Sequence, residues 1–448
     1  MKKYLEARYH QYKHLIPGRL IYFHGYYRLK GIIDSERFTR QAVIEEQLRH
    51  ILLTAVRHVP AYRDLALSSE VILNEPPLEV LGEFPYLEKD ELMDSPQRYI
   101  RRSANLLLAK YATSGGTTGR GVGVWRPKSA SDIEKLFFDV RWGAVGYQGV
   151  RSWVLRLSAE GIRRSDQSPV TALGRTTLVS PYHISARYIA KIIEQLNQRR
   201  FDFIHAYAAV FVELTYLLQA YAPTRPWPIK AIFLGSEPTT IPQLEILHAY
   251  WQCPIIVHYG LNERTNLGFY RYTPGDKEIC YSLEPLYSIS ENHRDSHEIV
   301  GTNLWNDLMP IIRYRTKDHG LIVNGKIKQL EGREQNFLID RHGGKISGMA
   351  VVIDERTWSQ VRQYQIRQRQ AGRIELCIVP RFGTLSSEFQ AYILQQQIQR
   401  WGGFFDISLA LCDSLPLTRS GKTRHIDVQL DGTPTQPSST ITHLQEYA

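Results

Sequence analysis

Between residues 151 and 259 short apolar runs alternate with helix-length segments, and this alternation restricts the fold more than any other feature of the chain. The runs at 151–157, 201–204, 229–234 and 254–259 are rich in β-branched and aromatic residues and too short for helices. The segments between them, 186–198, 210–220 and 243–250, carry apolar residues at helical spacing. Parallel strands must be joined by crossovers of helix length, so the pattern predicts a mostly parallel sheet covered on both faces. The fold class is α/β.

The rest of the chain is organised around that body. Residues 42–59 read as one amphipathic helix with Val43, Leu48, Leu52 and Val56 on a face, followed by Pro60-Ala-Tyr-Arg63 and a proline-marked stretch to Pro85. Near Gly320 the character changes. Alternation over 321–330 about Asn324-Gly325 predicts a hairpin. A strand at 373–380, a helix at 387–401 and a strand at 404–412 then form an α+β unit large enough for its own core. At 448 residues two or three domains are expected. The division is a basic, aromatic leader over 1–40, a large body over 41–332, a small lid over 333–430, and a Thr/Ser/Pro-rich tail over 431–448 read as disordered.

The net charge is +10, and residues 1–31 hold seven Lys/Arg against the single acid Glu6. Such a leader could dock on anionic lipid or on a partner, or pack its aromatic stripe on the protein's own body. No nucleic-acid recognition module is present, so no nucleic-acid partner is expected. The four cysteines lie far apart without a C-x-x-C pair, which fits a reducing compartment. The longest apolar stretch, 203–218, is interrupted by His205 and Glu213, and no secretory cleavage pattern opens the chain. A soluble cytoplasmic protein is expected, with a homodimer left open.

Chemistry concentrates first in Tyr111-Ala-Thr-Ser-Gly-Gly-Thr-Thr-Gly-Arg-Gly121. Its glycines let backbone N–H groups converge, and Thr113, Ser114, Thr117 and Thr118 add hydroxyls, a composition suited to a polyphosphate. The spacing is not that of a Walker loop. Three further pieces follow in order. Gly235-Ser-Glu-Pro238 ends a predicted strand, where open α/β sheets bind ligands. Tyr259-Gly-Leu-Asn-Glu263 ends the next, and Met309-Pro-Ile-Ile-Arg-Tyr-Arg-Thr-Lys-Asp318 places an acid after an apolar run.

In this order the motifs resemble those of the adenylate-forming enzymes, in the branch of phenylacetate–CoA ligase and its capsule-biosynthesis relatives. The resemblance spans about residues 41–426 and includes Gly332-Arg333 and Pro416-Leu-Thr-Arg-Ser-Gly-Lys422. It implies activation of a carboxylic acid by ATP as an acyl-adenylate, with pyrophosphate released, then acyl transfer to CoA. Thr113, Ser114, Gly115, Gly116, Thr117, Thr118 and Gly119 would hold the phosphates, and Glu263 would bind Mg²⁺. Gly235, Ser236 and Glu237 would sandwich adenine with Tyr259, flanked by Gly260 and Asn262. Asp318 and Arg333 would take the ribose, and Lys422 would neutralise the α-phosphate. His205 and Tyr207 lie near the expected acyl pocket, and Gln335 stands at the hinge. The sequence departs from the pattern at Asn262, where threonine is usual, at Lys317, where glycine is, and at Gln335-Asn336, where two acids are. Alternative readings are transfer to an amine, sugar or carrier-protein acceptor, and a nucleotide-binding interaction protein without catalysis.

Overall fold

The N-terminal part of the chain is helical because its apolar residues recur at three- and four-residue intervals. In α1 (His24–Ile33), Tyr26, Leu29 and Ile33 are buried. The helix predicted at 42–59 is the later part of a longer one, α2 (Arg37–His58), whose buried face is Ile44, Leu48, Ile51, Leu52, Thr54 and Ala55. The computed structural model describes all residues except 1–8, 10, 23, 34, 66, 114–121, 158–167, 185, 223–225, 334–336, 344, 348–356, 358–359, 417–424 and 431–448. The described residues form two compact units, one comprising most of residues 1–332 and the other most of residues 333–430.

In the first unit the hairpin β1 (Ala109–Thr113) and β2 (Gly123–Pro127) leads into α3 (Lys128–Gly143). Then come β3 (Val154–Leu157), β4 (Val170–Leu173), β5 (Thr176–Val179), α4 (Ile189–Asn197), β6 (Phe203–Ala206), α5 (Ala208–Tyr221), β7 (Ala231–Gly235), α6 (Ile241–Trp251) and β8 (Ile255–Gly260). Strands β5, β3, β6, β7 and β8 pair in parallel, as the alternation predicts. The two faces of these strands are filled differently. Ile204, Ile232, Leu234 and Val257 pack in the cluster beneath α4, α5 and α6. Phe203, Phe233 and Ile256 pack with Phe137 and Trp142 of α3 and with Tyr26 and Leu29 of α1. Local signals fix the helix ends: α6 starts with a capping box, in which the Thr240 N–H donates to Gln243 Oε1 at 2.9 Å.

The sheet does not stop at β8. Antiparallel strands β9 (Leu267–Arg271), β10 (Tyr281–Leu283), β11 (Ser288–Asn292), β12 (Glu298–Asn303), β13 (Tyr314–Val323) and β14 (Lys326–Arg333) extend it in the order β8-β9-β10-β14-β13-β12-β11. The hairpin expected at Asn324-Gly325 joins β13 to β14, with both residues at positive φ. This half curls back toward the parallel half. A flat sheet would hold β13 about 19 Å from β8, four strands away, yet side chains of the two strands touch. The curl closes where Gly301 of β12 meets the turn after β8. A Cβ there would stand 2.2 Å from Asn266 Oδ1, and Asn266 Nδ2 also donates to Ser290 Oγ at 2.8 Å.

The leader's second half belongs to this unit. The Tyr26 hydroxyl donates to Asp139 Oδ2 at 2.9 Å, Lys128 Nζ donates to the Ile21 carbonyl at 2.7 Å, and Tyr22 stacks on Tyr26. Residues 21–33 therefore pack on the body, while Tyr9 and Tyr12 are exposed. Among the described residues no helix is long and apolar enough to cross a membrane.

The second unit holds the hairpin β15 (Phe337–Ile339) and β16 (Lys345–Ser347) and a four-stranded sheet, β17 (Val361–Gln370), β18 (Arg373–Pro380), β19 (Asp406–Leu411) and β20 (Ile426–Val428), in the order β19-β18-β17-β20. Helix α7 (Ser387–Trp401) starts where the Ser386 side chain accepts the Phe389 N–H, and it packs Phe389 and Ile393 onto Ile374, Leu376 and Ile378. Gln368 is fully buried yet satisfied: its amide bonds the Ile339 N–H and C=O at 2.7 and 2.8 Å, tying the hairpin to the sheet. Strand β17 was not predicted, because Gln and Arg dominate it.

Candidate active site

Of the described candidate residues of the first unit, Tyr259, Gly260, Asn262, Glu263 and Asp318 gather at the seam where parallel pairing gives way to antiparallel, with the Gly235–Glu237 turn on the neighbouring strand. At the end of β7 the chain turns through Ser236 at a φ of 66°. Gly235 must be glycine here, since a Cβ would lie 2.1 Å from the His258 ring on β8. Glu237 points back to the start of α5, where its Oε1 accepts the Ala209 N–H at 2.6 Å. A carboxylate at a helix N-terminus is favourable, so this acid holds the turn in place.

Tyr259, at the end of β8, is buried and donates its hydroxyl to Asp318 Oδ2 on β13 at 2.9 Å. Its ring also meets Tyr281 in the core, 6.0 Å between centroids. Glu263 lies in the turn after β8, 4% exposed, and the Tyr314 hydroxyl of β13 donates to it at 3.2 Å. Each seam carboxylate is thus oriented by a tyrosine from the opposite half of the sheet. Asp318 takes its place because β13 bulges beside β12: three residues, 316–318, stand opposite Ile299. Lys317 occupies the bulge at a φ of 63°, the conformation that the glycine usual in the resembled motif would adopt freely. Its N–H donates to Glu298 Oε1 and its Nζ to Glu88 Oε2, each at 2.9 Å. Burial acts to raise the Glu88 pKa, but hydrogen bonds from Lys317 and Arg315 hold it below the usual value.

Two arginines fix the turn from below. Arg126 of β2 is 8% exposed and donates to the Asn262 carbonyl at 3.1 Å. Burial, and then the adjacent Arg264 guanidinium, hold its pKa down. Arg264 pairs with Glu134 of α3. Asn306 Nδ2 donates to the Trp125 carbonyl at 2.9 Å, so the β1–β2 hairpin is anchored to the segment before β13. Arg126, Arg264 and Tyr314 were missed in sequence because their partners lie 136, 130 and 51 residues away. His258 was legible by alternation, being the neighbour of Tyr259 that faces the other side of β8.

The structure separates His205 from Tyr207. His205, on β6, faces α3: its ring meets Trp142 at 5.2 Å and His258 at 5.9 Å. Tyr207 precedes α5 as its N-cap and packs with the cluster of the opposite face. Ser114, Gly115, Gly116, Thr117, Thr118, Gly119, Gln335 and Lys422 lie outside the described residues, as do the side chains of Thr113 and Arg333. Strands β1 and β2 flank the segment 114–121 in sequence, and Arg333 ends β14.

Neither a protein-family model nor a curated protein matches the chain in sequence. Solved structures do match in fold. A 2-hydroxyisobutyryl-CoA ligase, in the postadenylation state with its acyl-AMP, aligns at a TM-score of 0.64 over 88% of this chain and 90% of that one. Sequence identity between the two is 13%. The anthranilate CoA ligase AuaEII, in complex with anthranoyl-AMP, aligns at 0.50 over 85% and 79%, with 12% identity. The chain has the fold of the adenylate-forming enzymes. Its large α/β unit and smaller C-terminal α+β unit are the two domains of that fold. At such identities the likeness is one of fold alone.

Proposed function

We propose that the protein is an AMP-forming ligase that activates a carboxylic acid as its acyl-adenylate and passes the acyl group to the thiol of CoA. The observation that carries the reading is the pair of tyrosine-held carboxylates, Tyr259–Asp318 and Tyr314–Glu263, at the C-terminal edge of the parallel strands. Open α/β sheets bind ligands there, and both acids are fixed before any ligand arrives. The fold likeness to two CoA ligases that hold acyl-AMP supports the same reading.

In the first half-reaction a carboxylate oxygen of the acid attacks the α-phosphorus of ATP. A P–O ester bond forms while the bond to pyrophosphate breaks, so charge moves onto the leaving group. Asp318, oriented by Tyr259, accepts hydrogen bonds from the ribose hydroxyls, assisted by Arg333. The Gly235–Glu237 turn borders adenine, and Tyr259 gives its ring edge together with the hydrogen bond to Asp318. Gly260 and Asn262 line the approach to the phosphates, which the loop from Thr113 to Gly119 surrounds. Glu263 fits a magnesium ion: it is a hard oxygen donor held in one orientation, and Mg²⁺ commonly takes one or two carboxylates besides substrate phosphates. When bound, it would neutralise phosphate charge. Lys422 supplies the remaining cation at the α-phosphate, and Gln335 is the pivot between the half-reactions.

The test is ATP–pyrophosphate exchange with a panel of carboxylic acids, followed by CoA consumption. Lys422→Ala should lower exchange by orders of magnitude while ATP still binds, because a contact made in the transition state affects kcat more than affinity. Undiminished exchange in that variant would refute the assignment of Lys422.

A further inference from the structure

Strand β13, which carries Asp318, has a support from outside the sheet. The segment between the short helices Pro77–Gly82 and Lys89–Asp94 is tied to the start of that strand several times. Arg313, the residue before β13, donates to the carbonyls of Gly82 and Phe84 at 2.8 and 2.7 Å. The Leu87 N–H donates to the Arg313 carbonyl at 2.9 Å, and the Leu87 carbonyl accepts the Arg315 N–H at 3.0 Å. Glu88 then reaches the bulge itself. Its Oε1 accepts from Arg315 Nη1, and its Oε2 accepts from Lys317 Nζ at 2.9 Å. Glu298 of β12 accepts from Arg315 Nε at 2.8 Å and from the Lys317 N–H at 2.9 Å. Arg315 and Lys317 are thus each held by two carboxylates, one from β12 and one from outside the sheet. A bulge needs such a hold, because its extra residue has no partner in the ladder and Lys317 adopts a φ of 63°. Within the bulge the Asp318 N–H donates to Thr316 Oγ1 at 3.0 Å, so a shift of Arg315 or Lys317 carries Asp318 with it.

We propose that Glu88 is a positioning residue for the nucleotide: by holding Arg315 and Lys317 it sets the place from which Asp318 meets the ribose hydroxyls. The inference rests on the adenylation reading and adds to it a residue that acts through β13. The charge of Glu88 matters more than its shape. Both of its partners are cations, and a carboxylate accepts their bonds about twice as strongly as a neutral amide would. Its side chain is 42% exposed, so Glu88→Gln removes the charge without opening the core. Glu298 is 1% exposed, and the same change there would strand a buried guanidinium.

The experiment is calorimetric binding of ATP to the full-length protein with Mg²⁺, beside 2′,3′-dideoxy-ATP, which lacks both hydroxyls. Wild type should prefer ATP by about tenfold or more, since each lost bond is one to a charged group. In Glu88→Gln the Kd for ATP should rise about three- to tenfold, as for loss of a partly exposed ion-pair network. The Kd for dideoxy-ATP should stay within about twofold, which a merely structural role would not produce. Lys317→Met keeps the backbone bond to Glu298 and should act in the same direction. The double variant should cost no more than Glu88→Gln alone, because the two changes remove a shared contact. Melting temperature checks that each variant is folded, and Lys317→Met decides the matter if Glu88→Gln is not. A folded variant that weakens both nucleotides equally, or neither, would overturn the positioning role and leave adenylation standing. Equal affinity of wild type for the two nucleotides would overturn the ribose role of Asp318 and this inference with it. A wild type that binds neither would overturn the adenylation reading as well, which acid-dependent pyrophosphate exchange tests separately.

Discussion

The hydrogen bond from Tyr259 to Asp318 is the sharpest point at which to test the site. Tyr259→Phe removes one hydroxyl and preserves the ring that packs near Tyr281. Both residues are buried and the bond is 2.9 Å, so Asp318 loses a donor that solvent replaces poorly. A hydrogen bond to a charged group contributes about 1.5–3 kcal/mol, equivalent to roughly 10- to 150-fold in an equilibrium constant. If Asp318 is held in place to accept the ribose hydroxyls, much of that loss should appear as a rise in the KM for ATP, by about tenfold or more. The assay is pyrophosphate exchange across ATP concentrations, with the melting temperature measured alongside. Asp318→Ala provides the limit, because it removes the acceptor altogether. A KM for ATP within about twofold of wild type, or about 0.4 kcal/mol, together with a lowered melting temperature would refute the reasoning. The pair would then be a core contact and nothing more.

Gly301→Ala should destabilise the first unit by about 1–3 kcal/mol, because its Cβ would meet Asn266 Oδ1 and the Thr265 carbonyl oxygen; an unchanged denaturation midpoint would contradict the closure of the curl. At Lys317 positive φ costs a side chain about 1–2 kcal/mol, and the partly exposed pair with Glu88 contributes about 0–1 kcal/mol. Because glycine also costs about 0.5–1 kcal/mol in backbone entropy, Lys317→Gly should be about as stable as wild type and Lys317→Ala less stable than either, and the reverse order in chemical denaturation would show that the bulge is unstrained. In the second unit burial lowers the His425 pKa to about 4. The unfolded state then binds the extra proton between about pH 6.5 and 4, so this contribution is full above the unfolded value and disappears as pH falls through the folded one. Melting temperature against pH should lose that slope in His425→Phe, and an identical slope would show that another group titrates.

How far the sequence could be read depends on the distance over which each feature is determined. The parallel core was legible because β-branched runs and helix-length crossovers are local patterns, and the Asn324-Gly325 hairpin and helix α7 were for the same reason. Strand ends were less so: the run at 151–157 becomes a strand only at Val154, since Gly149–Arg151 form a 3₁₀ turn first. The antiparallel extension was hidden. Its strands carry Glu298, Asn303, Thr316 and Asp318 at buried positions, and only pairing from distant residues makes such burial tolerable. Arg313 is an example: it reads as a solvated charge in sequence, yet it is 4% exposed and donates to Glu291 and to the carbonyls of Gly82 and Phe84. The motif carboxylates and Tyr259 were legible by resemblance, but the hydrogen bonds from Tyr259 and Tyr314 to those carboxylates, and the arginines that hold the turn, were not, because those contacts exist only after the sheet has curled.

That curl also brings acids to the edge of the parallel strands. A parallel sheet alone offers backbone amides and helix N-termini at its edge, groups that suit anions. Its strand-end carbonyls can accept hydrogen bonds, but they carry no full negative charge to strengthen a bond from a hydroxyl or to balance a cation. Glu237, the acid nearest the parallel edge, is taken by the N-terminus of α5 through Ala209 and serves to hold its turn. Lys317 and Arg315, the cations around the bulge, are matched by Glu88 and Glu298. Burial works against the charge on Arg315, but those two carboxylates more than offset it. At the seam Asp318 and Glu263 each accept a hydrogen bond from a neutral tyrosine hydroxyl, and Arg126 lies close enough to Glu263 to feel its charge. A neutral donor orients a carboxylate without cancelling its charge. An acid that must meet a ribose or a cation needs that arrangement, and the seam supplies it twice, each time with the acid and its tyrosine drawn from opposite halves of the sheet.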